Sequence, residues 1–198
     1  GESYYQERAR AGKEMLWSYT AGGGRGNADR VIYMPLVSTR ILHWQYFSNS
    51  LGGYLHWGYN FWFDRRVEDR AGTGIPLPVY EPLNPYSEHT AFYPTGDAWV
   101  VYPPPNWWED VGPVSSLRYE AMREGLQDYE MLVMLAKLCR DDKVGANARR
   151  RKVLAKARRL LAMVRGPMAG DLTGFSRDAK LLLRTHDRLG DCISALME

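Results

Sequence analysis

Short strand-like apolar runs alternate with helical periodicity along the first half of this 198-residue chain. Strands separated by helices pair in parallel, and parallel strands need cover on both faces. Residues 3–14 are polar and rich in helix formers, with Ser3 placed to cap them. Met15-Leu16-Trp17-Ser18-Tyr19-Thr20 reads as a short strand that stops in the loop Ala21-Gly22-Gly23-Gly24-Arg25-Gly26. Leu36, Ile41, Trp44 and Phe47 recur at helical spacing across 36–49, with Pro35 at the first turn and Gly52-Gly53 as the stop. Residues 54–63 predict a second strand. Residues 64–96 hold five prolines and several glycines, and a loop that long is usually functional. Ala98-Trp99-Val100-Val101-Tyr102 predicts a third strand, ended by three prolines.

From there the pattern is helical. Ser115 or Ser116 caps a helix to about Arg140, with Leu117, Ala121, Tyr129, Leu132 and Ala136 on its buried stripe and Gly125 marking a close approach. Val153, Leu154, Ala157, Leu160, Leu161 and Val164 form a second stripe. Phe175, Ala179, Leu182, Leu189, Ile193 and Leu196 form a third, capped by Ser176. Three parallel strands with open edges make a poor unit by themselves. The expected fold is therefore α/β: the C-terminal portion of a (β/α)8 TIM-type barrel, about three strands, followed by an α-helical tail. The earlier strands are expected before residue 1 or on another chain.

Residue types divide the chain at the same place. Of 5 Phe, 7 Trp and 13 Tyr, all but Phe175 lie in residues 1–135. That region carries 11 Lys/Arg against 16 Asp/Glu, whereas residues 136–198 carry 15 against 7. The expected domains are thus a partial barrel, 1–135, and basic C-terminal helices packed on it, 136–198. No apolar run reaches the ~20 residues of a membrane helix. Two cysteines, Cys139 and Cys192, are too few for a disulfide scaffold or a cysteine zinc site, although they could pair with each other. The N-terminus has no signal-peptide pattern. The glycine run lacks the Gly-Lys-Ser/Thr of a phosphate loop, and no histidine pair among His43, His56, His89 and His186 has metal-ligand spacing. His186, on an apolar stripe, reads as a satisfied core residue, and His89 is the weak ligand candidate. No cofactor and no metal is implied.

In a (β/α) barrel, ligands meet the C-terminal ends of the strands. Those ends here offer Trp17, Tyr19, Trp57, Tyr59, Asn60, Trp62 and Tyr102, with Trp99 on the third strand and Asp97 just before it. A pyranose packs its C–H face on an aromatic ring and pairs its hydroxyls with polar side chains, so this is the chemistry of a sugar site. Cations and bases also suit aromatic faces. Arg118 and Glu120, near the start of the following helix, can bond sugar hydroxyls or fix a neighbouring loop. Asp128 and Glu130, two turns further on, read as ion-pair or packing residues.

Five segments in order carry a resemblance. They are Leu16-Trp17-Ser18-Tyr19-Thr20; Arg40-Ile41-Leu42-His43-Trp44-Gln45; Gly53-Tyr54-Leu55-His56-Trp57-Gly58-Tyr59-Asn60-Phe61-Trp62; Gly96-Asp97-Ala98-Trp99-Val100-Val101-Tyr102-Pro103; and Ser116 to Glu130. Together they resemble the C-terminal half of the glycoside hydrolase family 123 catalytic-type domain. The resemblance implies a hydrolase of β-linked N-acetylgalactosamine and a glycan partner, in a secreted or periplasmic setting. It also implies a substrate-assisted mechanism, in which the substrate's acetamido group attacks the anomeric carbon. One carboxylate orients that group and a neighbouring carboxylic acid protonates the leaving oxygen. The family's adjacent Asp-Glu pair ends an earlier barrel strand, so it is expected upstream of Gly1. None of Glu68-Asp69, Glu109-Asp110 or Asp141-Asp142 takes its position. The catalytic residues are thus unassigned within this chain. The rival readings are a non-catalytic carbohydrate-binding or structural module and, through Arg149 to Arg159, a basic nucleic-acid-binding domain.

Overall fold

The computed structural model describes residues 4–5, 7–8, 11–12, 15–20, 26–60, 95–97, 99–104, 112–141 and 147–198. The long proline-bearing stretch, Trp62, His89, Glu68-Asp69 and Glu109-Asp110 lie outside them. Tyr4, Tyr5, Glu7 and Arg8 are helical, as expected. The elements that follow are β1 (Leu16–Thr20), α1 (Leu36–Ser48), β2 (Leu51–His56), α2 (Leu117–Leu138), α3 (Ala148–Met163) and α4 (Ala179–Met197).

The chain is mixed α/β, and β1 and β2 pair in parallel across α1, as the alternation predicts. The second strand begins earlier than expected, because Gly52 and Gly53 lie within it instead of stopping the helix. Met15 and Trp17 of the β1 segment lie across these two glycines, where a Cβ would collide with them. The expected third strand, Ala98–Tyr102, is not a ladder over its described residues, 99–102. Trp99 makes an isolated antiparallel bridge to Asn60, and Tyr102 makes one to Val114. Pro103 and Pro104 supply no amide donors with which to extend that pairing.

The core is helical. The side chains of Ile41 to Phe47 are all buried, so α1 is enclosed on every face. Two of its polar residues bond outward to loops: Thr39 Oγ1 donates to Asp29 O (3.1 Å) and Gln45 Nε2 donates to Asp171 O (2.7 Å). Helix α2 packs along α1. At Gly125 an added Cβ would sit 2.6 Å from His43 Nδ1 and 2.7 Å from Arg40 O, so the close approach predicted there is real. Ser116 caps α2, accepting from Tyr119 N (3.1 Å). Leu132, Leu135 and Ala136 of α2 join Leu154, Ala157, Leu160 and Leu161 of α3 and Leu182, Leu189 and Ile193 of α4 in one cluster. Helix α2 therefore runs unbroken through residue 135, and the core draws on both sides of it.

Three details differ from the periodic reading. Leu117 is 73% exposed, because it opens α2 at the rim of a shallow apolar groove of about 300 Å³ shared with Leu36 and Leu183. Ala179 is exposed as the first residue of α4. The cap of that helix is Asp178, not Ser176. Its carboxylate accepts from Lys180 N (2.9 Å) and Leu181 N (3.1 Å), and an anion also suits the helix N-terminus. Cys139 and Cys192 are both free thiols.

Candidate functional site

Beyond the C-terminal end of β2 the chain brings ionised groups into the interior. Asp29, Arg30 and Asp97 are completely inaccessible, and Arg118 is 5% exposed. Two carboxylates and two guanidiniums balance in charge, which such burial requires. Arg30 is the hub. Its Nη1 donates to Asp29 Oδ1 (3.2 Å) and its Nη2 to Asp97 Oδ1 (3.1 Å). The backbone N of Arg30 donates to the same Asp29 oxygen (2.7 Å). Nη2 also pairs with His56 Nδ1. The guanidinium carbon lies 5.7 Å from the centroid of the Tyr54 ring. Burial raises the Asp29 carboxyl above its ordinary value, against the pull of Arg30.

Arg118 locks the loops above this hub. It donates to Arg30 O (3.0 Å), Gly96 O (2.6 Å) and Trp99 O (2.8 Å). Gly96 has φ +80°, a left-handed backbone that glycine adopts freely, and its missing Cβ leaves room for Arg118 Nη1. Arg118 thus ties together two loop segments through three carbonyls, and burial lowers its pKa from the ordinary arginine value.

Aromatic rings surround the hub. Trp57 is half-buried, and its Nε1 donates to Asp97 Oδ2 (2.8 Å). His56 meets Trp57 edge-on at 6.2 Å and Tyr59 at 5.5 Å. Tyr59 meets Tyr119 edge-on at 6.5 Å. Burial pushes the Tyr59 and Tyr54 hydroxyls up, so both phenols stay protonated.

The residues singled out from sequence are therefore distributed unevenly. Trp57, Tyr59, Asp97 and Arg118 are brought together, with Tyr102 close to Arg118. Asn60 is exposed and bridges to Trp99. Trp17 and Tyr19 are 60% and 59% exposed on β1. Glu120 is held outside the hub by Ser115 Oγ (2.5 Å) and Arg123 Nε (2.9 Å), and those two partners lower its pKa. Asp29 and Arg30 went unnoticed in the sequence. Their only signal there is a charged pair between Ala28 and Val31, just after a glycine-rich loop.

A second buried carboxylate lies among the helices. Asp128 is inaccessible and accepts from Arg40 Nε (2.6 Å) and Nη2 (2.9 Å), Trp44 Nε1 (2.8 Å) and His186 (2.7 Å). It is the ion-pair residue expected. His186 is satisfied by it but leaves a third of its side chain exposed, so it borders the core instead of lying in it.

Among the described residues no cluster of three metal-ligating side chains occurs, and no helix is long and apolar enough to cross a membrane. The sequence model of the family described as Glycoside hydrolase 123, catalytic domain, matches residues 2–135. No curated protein matches the chain.

Proposed function

Since the chain belongs to glycoside hydrolase family 123, whose catalytic-domain model covers two thirds of it, we propose that it serves the hydrolysis of a β-linked N-acetylgalactosaminide by substrate assistance. The observation that carries the sugar reading is the half-buried Trp57 ring, which follows the end of the parallel strand β2 and is tethered through its N–H to the inaccessible carboxylate of Asp97. A flat apolar ring with neutral Tyr59 beside it suits the C–H face and hydroxyls of a pyranose. In this reading β1 and β2 belong to a (β/α)8 barrel, residues 1–135 form wall and floor of the sugar subsite, and the basic helices of 136–198 pack on it.

The same geometry supports a division of labour. Asp29 and Asp97, the carboxylates of the hub, are both ion-paired to Arg30 and out of reach of a glycosidic oxygen. The orienting and proton-donating carboxylates of a substrate-assisted reaction would then come from the adjacent Asp-Glu pair of an earlier barrel strand. Titration with N-acetylgalactosamine tests the subsite. The sugar is expected to quench tryptophan fluorescence, and Trp57→Ala is expected to abolish the response while circular dichroism stays native. A folded wild-type protein that gives no response overturns the sugar reading.

A further inference from the structure

A tryptophan at the rim of a site can swing about two side-chain torsions, and the Trp57 ring is held against this. Its indole N–H donates to Asp97 Oδ2 (2.8 Å), and the other oxygen of Asp97 accepts from Arg30 Nη2 (3.1 Å). Arg30 is fixed in turn by Asp29 and by His56. The backbone beside Asp97 is held as well, because Arg118 grips Gly96 O and Trp99 O on either side of it. The acceptor of the indole proton is therefore anchored from three directions. It is also ion-paired to Arg30 and dry, which makes that hydrogen bond stronger than a neutral one in water. Asp97 itself has no accessible surface and both its oxygens face protein donors, so it has no free lone pair presented to a ligand.

We propose that Asp97, braced by Arg30, is a positioning residue that sets the plane of the Trp57 ring for the sugar, a role that rests on the glycan site proposed above. Asp97 acts on the substrate only through the indole. Deleting the indole N–H and weakening its acceptor should therefore have the same consequence, and doing both should add nothing.

The full-length protein and an aryl N-acetyl-β-galactosaminide test this with a double-mutant cycle. Trp57→Phe keeps a ring but removes the donor, and Asp97→Asn keeps the shape of the acceptor but removes its charge. Each is expected to raise KM about tenfold, the size of one charge-assisted hydrogen bond, and by more than it lowers kcat. The double variant is expected to match the worse single variant. Effects that multiply would overturn the proposal, since Asp97 would then touch the sugar itself. So would an Asp97→Asn protein that loses active fraction and thermal stability at unchanged KM, which is the mark of a purely structural residue. A spectroscopic arm is independent of turnover. The indole proton resonance absent from Trp57→Phe should lie downfield and exchange slowly in wild type, and lose both properties in Asp97→Asn. If wild type cleaves no galactosaminide yet this resonance behaves as stated, the function proposed above fails and the restraint on Trp57 stands. If the resonance is unmoved by Asp97→Asn, the restraint fails whatever the activity.

Discussion

At the scale of single residues, the molecule depends on side chains that bond to backbone far away in sequence. Arg118 is the main case. A lysine in its place carries the charge but cannot reach three carbonyls with one planar fork. Arg118→Lys is expected to lower unfolding stability by about 2–4 kcal/mol, read from urea titration, because buried carbonyls lose charged donors. A loss within ~0.5 kcal/mol would show that the carbonyls are satisfied otherwise. His43 gives a prediction about acid. Its imidazole is 1% exposed, and burial pushes it down to about 4, whereas an unfolded imidazole titrates near about 6.5. Between these values the unfolded chain binds the extra proton. Stability from a neutral His43 is therefore complete above about pH 6.5, declines below it and is lost as pH falls through about 4. The decline attributable to His43 is on the order of 3 kcal/mol. His43→Gln should flatten that part of the stability–pH curve, and a curve parallel to wild type would refute it.

At the scale of elements, α3 is built against its own dipole. Arg149, Arg150, Arg151 and Lys152 occupy its first turns, where positive charge is unfavourable, and no acid stands in the first turn to offset them. The Asn147 cap compensates, accepting from Arg150 N at 2.8 Å. Two substitutions of opposite sign follow. Asn147→Ala should cost about 1 kcal/mol, and Arg150→Glu should gain about 0.5–1 kcal/mol. Thermal unfolding of both distinguishes this account from one in which α3 is held by its apolar face alone, for which neither would move the midpoint. Elements of this kind are legible in sequence. The cap Ser116, the stripe 153–164 and the parallel relation of β1 to β2 all follow from local chemistry or from alternation. Asp128 was legible too, because it falls on the helical stripe of Ala121, Gly125, Leu132 and Ala136, where an ionised side chain demands buried partners. The misread third strand failed for a different reason. The strand formers of 99–102 are present, but a ladder needs a partner of matching length, and partners are a tertiary matter.

At the scale of the whole molecule, stability is uneven. The apolar cluster joins α1, α2, α3 and α4, whereas Trp17 and Tyr19 of β1 remain more than half exposed. Two parallel strands alone bury little, so amides at Leu132, Leu135 and Leu189 should exchange with solvent at least ~100-fold more slowly than those at Trp17 and Tyr19. Equal protection in the native protein would mean that β1 has cover beyond the described residues. The amino-acid order alone determined the helices, the parallel pairing, the aromatic character of the first 135 residues and the family resemblance, since each is written in neighbouring residues or in periods of two and 3.6. Only the tertiary structure decided that Asp97, Arg30 and Trp57 form one unit and that Arg118 serves backbone. Arg30 and Asp97 stand 67 residues apart. No local pattern encodes such a contact, because the burial that compels two charges to pair exists only after the chain has closed around them.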